Sequence, residues 1–245
     1  METPEEIKKR TLELAKKGGF IEGIYNYCDR WCEKCAFRSK CFSYVNSPDY
    51  ESMSDEDTVE YITNNLKATM LMLDEMAGEM GIDLSEIPED EMKYERDEPF
   101  TDSLTAYAYE ASRETHDWFE SVEPETGIIK INSLKLYPDE KKEYHDALEV
   151  VCFYLFFISV KLERALKSDD RTDMNEYMKD DSDGSAKVAL IAIDRSIAAW
   201  GIIMNERPEH EDAILHFLIK LSKIRSEAEK RFPDARSFIR PGLDE

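Results

Sequence analysis

Hydrophobic positions in this chain recur with the period of an α-helix, and the two-residue alternation typical of strands is almost absent. The clearest example is a stripe with helical spacing in the first third of the chain. Its members are Val59, Ile62, Leu66, Met70, Leu73, Met76 and Met80. Apolar stripes of this kind usually face the protein interior, so we expect this one to pack in the core. The pattern predicts an all-α protein.

Helix boundaries are marked by capping residues. The run TPEE at residues 3–6 combines an N-cap, a proline in the first turn and an acid three residues after the cap. It predicts a first helix that the glycine pair 18–19 ends. Ser54 is expected to cap a second helix, which carries the apolar stripe and ends near Gly78 and Gly81.

The remainder of the chain predicts four long helices joined by polar segments. We expect them at about 101–121, 138–167, 185–205 and 208–231. The acidic segment 83–100 and the polar segment 168–184 are predicted connections, and only IIKIN at 128–132 suggests extended backbone. Four such helices favour an up-and-down bundle. We therefore predict a metal-binding module at 1–53, and a bundle with a C-terminal tail at 54–245 that forms one compact unit.

Composition narrows the partners and the compartment. The 245 residues contain 32 Lys and Arg against 54 Asp and Glu, a net charge of −22. Such a chain repels phosphate backbones and anionic membrane surfaces, so we expect no nucleic-acid or membrane partner. The apolar run Val150–Val160 is too short to span a bilayer. Residues 1–10 contain no apolar leader segment, and this favours a cytoplasmic protein.

Four cysteines lie within fourteen residues, at Cys28, Cys32, Cys35 and Cys41. The C-x2-C pair fits on one tight turn, and Cys28 lies one helical turn earlier. The five-residue gap before Cys41 allows the chain to fold back and offer a fourth sulfur. Cytoplasmic cysteines rarely form stable disulfides, so we predict one closed four-thiolate metal site rather than disulfides or free thiols. Cys152, inside the apolar run, is interpreted as a buried core thiol.

A [4Fe–4S] cluster and a zinc ion are the two candidate occupants of this site. Structural zinc sites more often join two C-x2-C pairs across a long spacer, whereas ligands from one short segment are common for [4Fe–4S] clusters, and we favour the cluster. The C-x2-C-x5-C part also resembles the cysteine pattern of the iron–sulfur site in some nucleases. That resemblance covers only these residues, and the chain lacks the strands and the D…ExK residues of a nuclease core.

Side chains between the cysteines suit an anionic metal centre. Either occupant with four thiolates carries a charge of about −2. The intervening charged residues are Asp29, Arg30, Glu33, Lys34, Arg38 and Lys40, and their net charge is +2. Aromatic residues of the same segment are candidates to exclude water from the centre. They are Tyr27, Trp31, Phe37, Phe42 and Tyr44.

Polar residues on the predicted bundle helices offer a second candidate site. Asp194 is surrounded at helical spacing by apolar residues, so we expect it to be buried, and Arg195 adjoins it. For Asp194 we prefer a buried ion pair that fixes the helix register, with its partner on another helix, to a role as a metal ligand or acid–base group. His145 and Glu149 share one helix face. Two other pairs, Glu110 with Glu114 and Asp212 with His216, share faces of their own helices.

These acids allow a carboxylate-bridged dimetal oxidoreductase of the ferritin kind as an alternative, although the chain has no suitably placed Glu-x-x-His. No glycine-rich phosphate loop and no nucleophile elbow are present, so hydrolase and nucleotide-binding chemistry lack support. The leading hypothesis is an iron–sulfur protein with a role in electron transfer, redox sensing or structure. The second is a helical module for binding a protein partner, held together by zinc.

Overall fold

The computed structural model describes residues 2–48, 53–82, 99–122, 142–168 and 176–244, the first four of the last range by backbone alone. Within these ranges the chain forms α-helices and short 3-10 helices and no strand, which confirms the all-α fold class. The chain divides into two compact units, Met1–Asp97 and Glu98–Glu245. The helix with the apolar stripe therefore belongs to the N-terminal unit and not to the predicted bundle at 54–245.

The first unit contains helix α1 (Pro4–Lys17), the short helix α2 (Phe42–Asn46) and the long helix α3 (Asp55–Met80). Both predicted N-caps are confirmed. The Thr3 hydroxyl accepts a hydrogen bond from the Glu6 amide, and the Glu6 carboxylate accepts one from the Thr3 amide. The Ser54 hydroxyl accepts one from the Asp57 amide at 3.1 Å. Gly18 and Gly81, both at positive φ, end α1 and α3 as expected.

Helices α1 and α3 pack through a small apolar core made of Ile7, Tyr61 and Ala68. An ion pair between Lys8 and Glu75 extends the contact. The face of α3 that carries the apolar stripe points away from this core, and its seven side chains are between 48% and 68% exposed. The prediction that the stripe packs in the core is therefore wrong, because α1 occupies a different face of the helix.

The second unit contains α4 (Ser103–Val122), α5 (Lys142–Tyr154), α6 (Phe157–Lys167), α7 (Glu176–Glu206) and α8 (Glu211–Arg231), with a 3-10 turn at Pro208–His210. Helix α7 packs against α5, α6 and α8, and α4 packs against α6 and α8. If α5 and α6 are counted as one interrupted helix, each helix of the unit packs against the helices next to it in sequence. Helix α8 then closes the ring against α4, which is the order of an up-and-down four-helix bundle.

The helix predicted over 138–167 is interrupted within its described part. Helix α5 ends at Tyr154 and α6 begins at Phe157, although the apolar run contains no glycine or proline. The break releases the carbonyl of Leu155, which accepts a hydrogen bond from the buried Ser112 hydroxyl of α4. Residue 138 and the predicted extended piece at 128–132 lie outside the described residues.

Helix α7 begins at Glu176, so part of the segment predicted as a polar loop (168–184) is helical instead. Small polar residues explain the difference. Ser182 is buried against α6, and its hydroxyl donates to the carbonyl of Ala165 at 2.9 Å. A segment that looks solvent-exposed by composition is therefore part of a close helix–helix contact.

By length and composition alone, the stretch Asp180–Glu206 of α7 is the single described helix apolar enough to cross a membrane. Half of its most apolar window is buried in the bundle. Trp200, Ala199 and Ile203 of this helix contribute to the main core, together with Phe119 of α4 and Phe217 of α8. The apolar character of α7 thus has a structural explanation, since three neighbouring helices surround it.

Candidate metal centre

The cysteine segment folds as consecutive tight turns, and the last three cysteines lie at the ends of these turns. A 3-10 turn at Cys32–Lys34 begins at one cysteine and is capped by the next, since the Cys35 amide donates to the Cys32 carbonyl at 3.2 Å. A second 3-10 turn, Arg38–Lys40, ends at Cys41, which also precedes α2. This arrangement follows the C-x2-C-x5-C spacing directly.

A left-handed residue links the first cysteine to the turns. Arg30 has a φ of 62°, and its carbonyl accepts a hydrogen bond from the Cys32 amide at 2.9 Å. The Asp29 carboxylate accepts from the Trp31 amide at 3.1 Å and fixes this bend. The Cys28 thiol contacts the Tyr25 carbonyl at 3.7 Å. All four cysteines are half-buried.

Two of the four thiols, Cys28 and Cys32, have raised pKa values. Burial raises the pKa of Cys32, and the negative charges of Cys28, Glu33, Cys41 and Cys35 raise it further. Burial likewise raises the pKa of Cys28, with a smaller contribution from Cys41. The tight turns keep the four cysteines on one short segment of the chain.

The four cysteine side chains do not form a coordination shell in this conformation. Across the described ranges, no three side chains of His, Cys, Asp or Glu are arranged so that they could hold a metal ion. The four-thiolate site therefore stays a prediction: its cysteines are close in sequence, but their side chains do not form a metal-binding group.

The surroundings of the thiols combine exposed cations with a partial aromatic shell. Arg30, Lys34, Arg38 and Lys40 are exposed, and the Lys34 ammonium lies 4.4 Å from the centre of the Trp31 ring. Trp31 is the aromatic residue of this segment that is buried, at 9% exposure. Phe42 stacks edge-on against Phe20, with ring centres 5.4 Å apart. Phe37 and Tyr44 are exposed, so the predicted aromatic shell is incomplete.

Asp194 is not buried as predicted, since its side chain is 39% exposed. Its carboxylate contacts the Arg236 guanidinium at 2.6 Å and the Arg225 guanidinium at 3.4 Å. The C-terminal segment that carries Arg236 folds back against the bundle and covers part of α7. Helical spacing around Asp194 did not identify this partner, because Arg236 is 42 residues away along the chain. Arg195 instead donates to the Tyr154 hydroxyl at 2.5 Å.

His145 and Glu149 lie on α5 as the spacing predicts, and both are half-buried. The His145 ring packs edge-on against Tyr144. Cys152, one turn after Glu149, is partly rather than fully buried against the main core, where burial and the charge of Glu149 raise its pKa to about 12. These contacts agree with a structural role for Cys152.

Glu114 and His216, taken from two different predicted pairs, meet across α4 and α8 at 2.9 Å. Lys220 contacts the same carboxylate oxygen. Hydrogen bonds from Lys220 and then His216 lower the pKa of Glu114. Because the Glu114 carboxylate is already paired with a lysine, it is poorly suited to bind a metal ion. This cluster is an ion-pair network between α4 and α8. Lys220 was missed because its partner lies 106 residues away.

Comparisons of this chain with protein-family models, with curated proteins and with solved structures returned no match.

Proposed function

We propose that this chain is an iron–sulfur protein that binds one [4Fe–4S] cluster through Cys28, Cys32, Cys35 and Cys41. The observation that carries the proposal is the grouping of four half-buried thiols within fourteen residues on one run of tight turns. Four thiolates so close repel one another, and a bound cation or cationic cluster removes that repulsion.

The charge of the segment supports an anionic centre. A [4Fe–4S]2+ core with four thiolates carries about −2, and the exposed cations Arg30, Lys34, Arg38 and Lys40 exceed the local acids by two. Elsewhere the chain is strongly acidic, so this compensation is local to the cysteines. All four ligands come from one short segment, which favours a cluster over the zinc alternative.

The proposed role is electron transfer, redox sensing or structural support of the first unit. Four protein ligands leave no open coordination position for a substrate at a closed site. The half-exposed setting of the cysteines would allow electrons to pass between the cluster and a partner. The buried Trp31, adjacent in sequence to Cys32, would limit the access of water to the site.

Anaerobic purification followed by metal analysis tests the proposal. We expect a brown protein with about four iron atoms and about four acid-labile sulfides per chain. Cys35→Ser should abolish the visible absorbance. Cys152→Ser is the matched control, because that thiol lies outside the motif and in the bundle, and it should leave the cluster intact.

Other results would identify the alternatives. A colourless protein with one zinc ion, retained in air, would contradict the cluster and favour the zinc module. Iron without labile sulfide, lost in Glu149→Ala or Asp194→Ala and retained in Cys35→Ser, would favour the dimetal oxidoreductase. We also expect Cys35→Ser to keep most of its helical circular dichroism, because the described residues from Cys28 to Cys41 form 3-10 turns and no α-helix.

A further inference from the structure

The outward face of α3 is a continuous apolar seam with a heptad repeat. Val59, Leu66, Leu73 and Met80 follow one another at intervals of seven residues and occupy position a. Ile62 and Met76 occupy position d, with Thr69 as the polar d residue between them, and Met70 adjoins the seam at an e position. A strict seven-residue repeat over three heptads is the pattern of a coiled coil, because it keeps one narrow seam facing a partner helix.

This seam is exposed while the rest of α3 is anchored. Tyr61 and Ala68, on another face of the helix, are buried against α1. The Asn64 side chain donates to the Glu2 carbonyl at 3.0 Å and adds a polar tie on the same side. Helix α3 thus presents its apolar seam from a fixed scaffold, and the exposed side chains cost free energy until a partner covers them.

Charge is almost absent along the borders of the seam. The e and g positions, which meet a partner helix at its margins, are Thr58, Thr63, Asn65, Met70, Met72, Ala77 and Glu79. Only the last of these is charged. Charged residues of α3 lie at other positions, such as Glu60, Lys67 and Asp74 at position b. For a chain of net charge −22, this face is therefore one that two copies can bring together with little like-charge repulsion.

We propose that the occupant of the seam is a second copy of this chain, so that two α3 helices pair as a two-stranded coiled coil. The seven exposed side chains present an apolar area of roughly 700 Å², close to the ~800 Å² per partner that a stable interface buries. A two-fold pairing uses the same seam on both copies, and position-a leucines from each contribute to its centre.

Sedimentation analysis of the full chain in reductant tests this pairing. The reductant excludes disulfide-linked dimers. We expect twice the chain mass of 28.5 kDa at micromolar concentration. Leu66→Glu combined with Leu73→Glu should give a monomer with unchanged helical circular dichroism. Leu66→Ala with Leu73→Ala is the milder variant, because it places no charge at the seam, and it should weaken dimerisation at least ~100-fold.

A matched control changes exposed apolar residues on another helix. Leu215→Glu with Ile219→Glu, on exposed positions of α8, should leave the dimer intact. A wild-type chain that is monomeric at every concentration would overturn the proposal and imply that another segment or another protein covers the seam. A dimer that survives both leucine variants, or that the control also dissociates, would overturn it as well. Cys35→Ser should remain dimeric, so this test is independent of the metal site.

Discussion

Removal of the Trp200 side chain is the perturbation whose cost the structure specifies best. Trp200 is 1% exposed at the centre of the second unit. Its ring stacks on Phe119 with centres 5.7 Å apart, and it makes inclined contacts with Trp118 at 5.7 Å and Phe217 at 5.2 Å. Helices α4, α7 and α8 thus meet at this one side chain.

The expected loss is large. A buried tryptophan withdraws about 200–250 Å² from water, so its truncation to alanine forfeits roughly 5–6 kcal/mol at ~25 cal/mol per Å². Lost aromatic contacts add to this figure, whereas collapse of the cavity reduces it. We therefore expect Trp200→Ala to lower the free energy of unfolding of the second unit by about 4 kcal/mol, and Trp200→Phe to lower it by less than ~2 kcal/mol.

Urea denaturation followed by far-ultraviolet circular dichroism measures both values by linear extrapolation. Ile219→Ala is the control, since that residue of α8 is 67% exposed and its truncation should change stability by no more than ~0.5 kcal/mol. A loss below ~1.5 kcal/mol for Trp200→Ala would refute the packing described for the core. A loss as large for Ile219→Ala would show that the exposed and buried faces of α8 are assigned incorrectly.

Two further predictions concern titratable groups. Burial alone would raise the pKa of Asp181, but hydrogen bonds from Arg164 and Ser168 hold this pKa below its usual value. The Asp181 carboxylate therefore stabilises the fold above about pH 4, and the stabilisation is lost as the pH falls through the lowered pKa. Asp181→Asn should therefore be less stable than wild type at pH 7 and equal to it in strong acid, and equal stability at pH 7 in thermal melts would contradict the ion pair. The raised pKa of Cys152, about 12, should slow its alkylation at pH 8 roughly 1,000-fold relative to urea-unfolded chain, and peptide mapping that finds equal rates would refute its burial.

Local signals in the sequence predicted the helix boundaries better than the environments of the helices. Thr3 and Ser54 fixed two helix starts because a capping hydroxyl acts on amides only two or three residues away. The period of the apolar stripe correctly placed α3. Periodicity reports that a face is apolar and not what covers it, which is why the exposure of Leu66 and Leu73 was not foreseen.

The remaining differences arise from contacts between distant residues. The interruption between Tyr154 and Phe157 has no glycine or proline to mark it, and its free carbonyl is satisfied by Ser112 from another helix. The early start of α7 depends on Ser182 packing against α6. For the metal site, the spacing predicted the tight turn that joins Cys32 to Cys35, but the helical turn expected between Cys28 and Cys32 is wrong, because Arg30 is left-handed. The positions of the sulfurs depend on side-chain rotamers, which spacing does not determine.

Closure of the helix ring has a consequence for the order of folding. Contacts of α7 with α5, α6 and α8 join neighbours in sequence, whereas Glu114 of α4 must find Lys220 of α8 across 106 residues. The entropy of closing so long a loop exceeds that of a loop of about thirty residues by ~1 kcal/mol. We therefore expect the contacts of α7 with α5, α6 and α8 to nucleate folding. The contact between α4 and α8 should form after the rate-limiting barrier. Substitutions at Glu114 should then accelerate unfolding and leave the refolding rate almost unchanged.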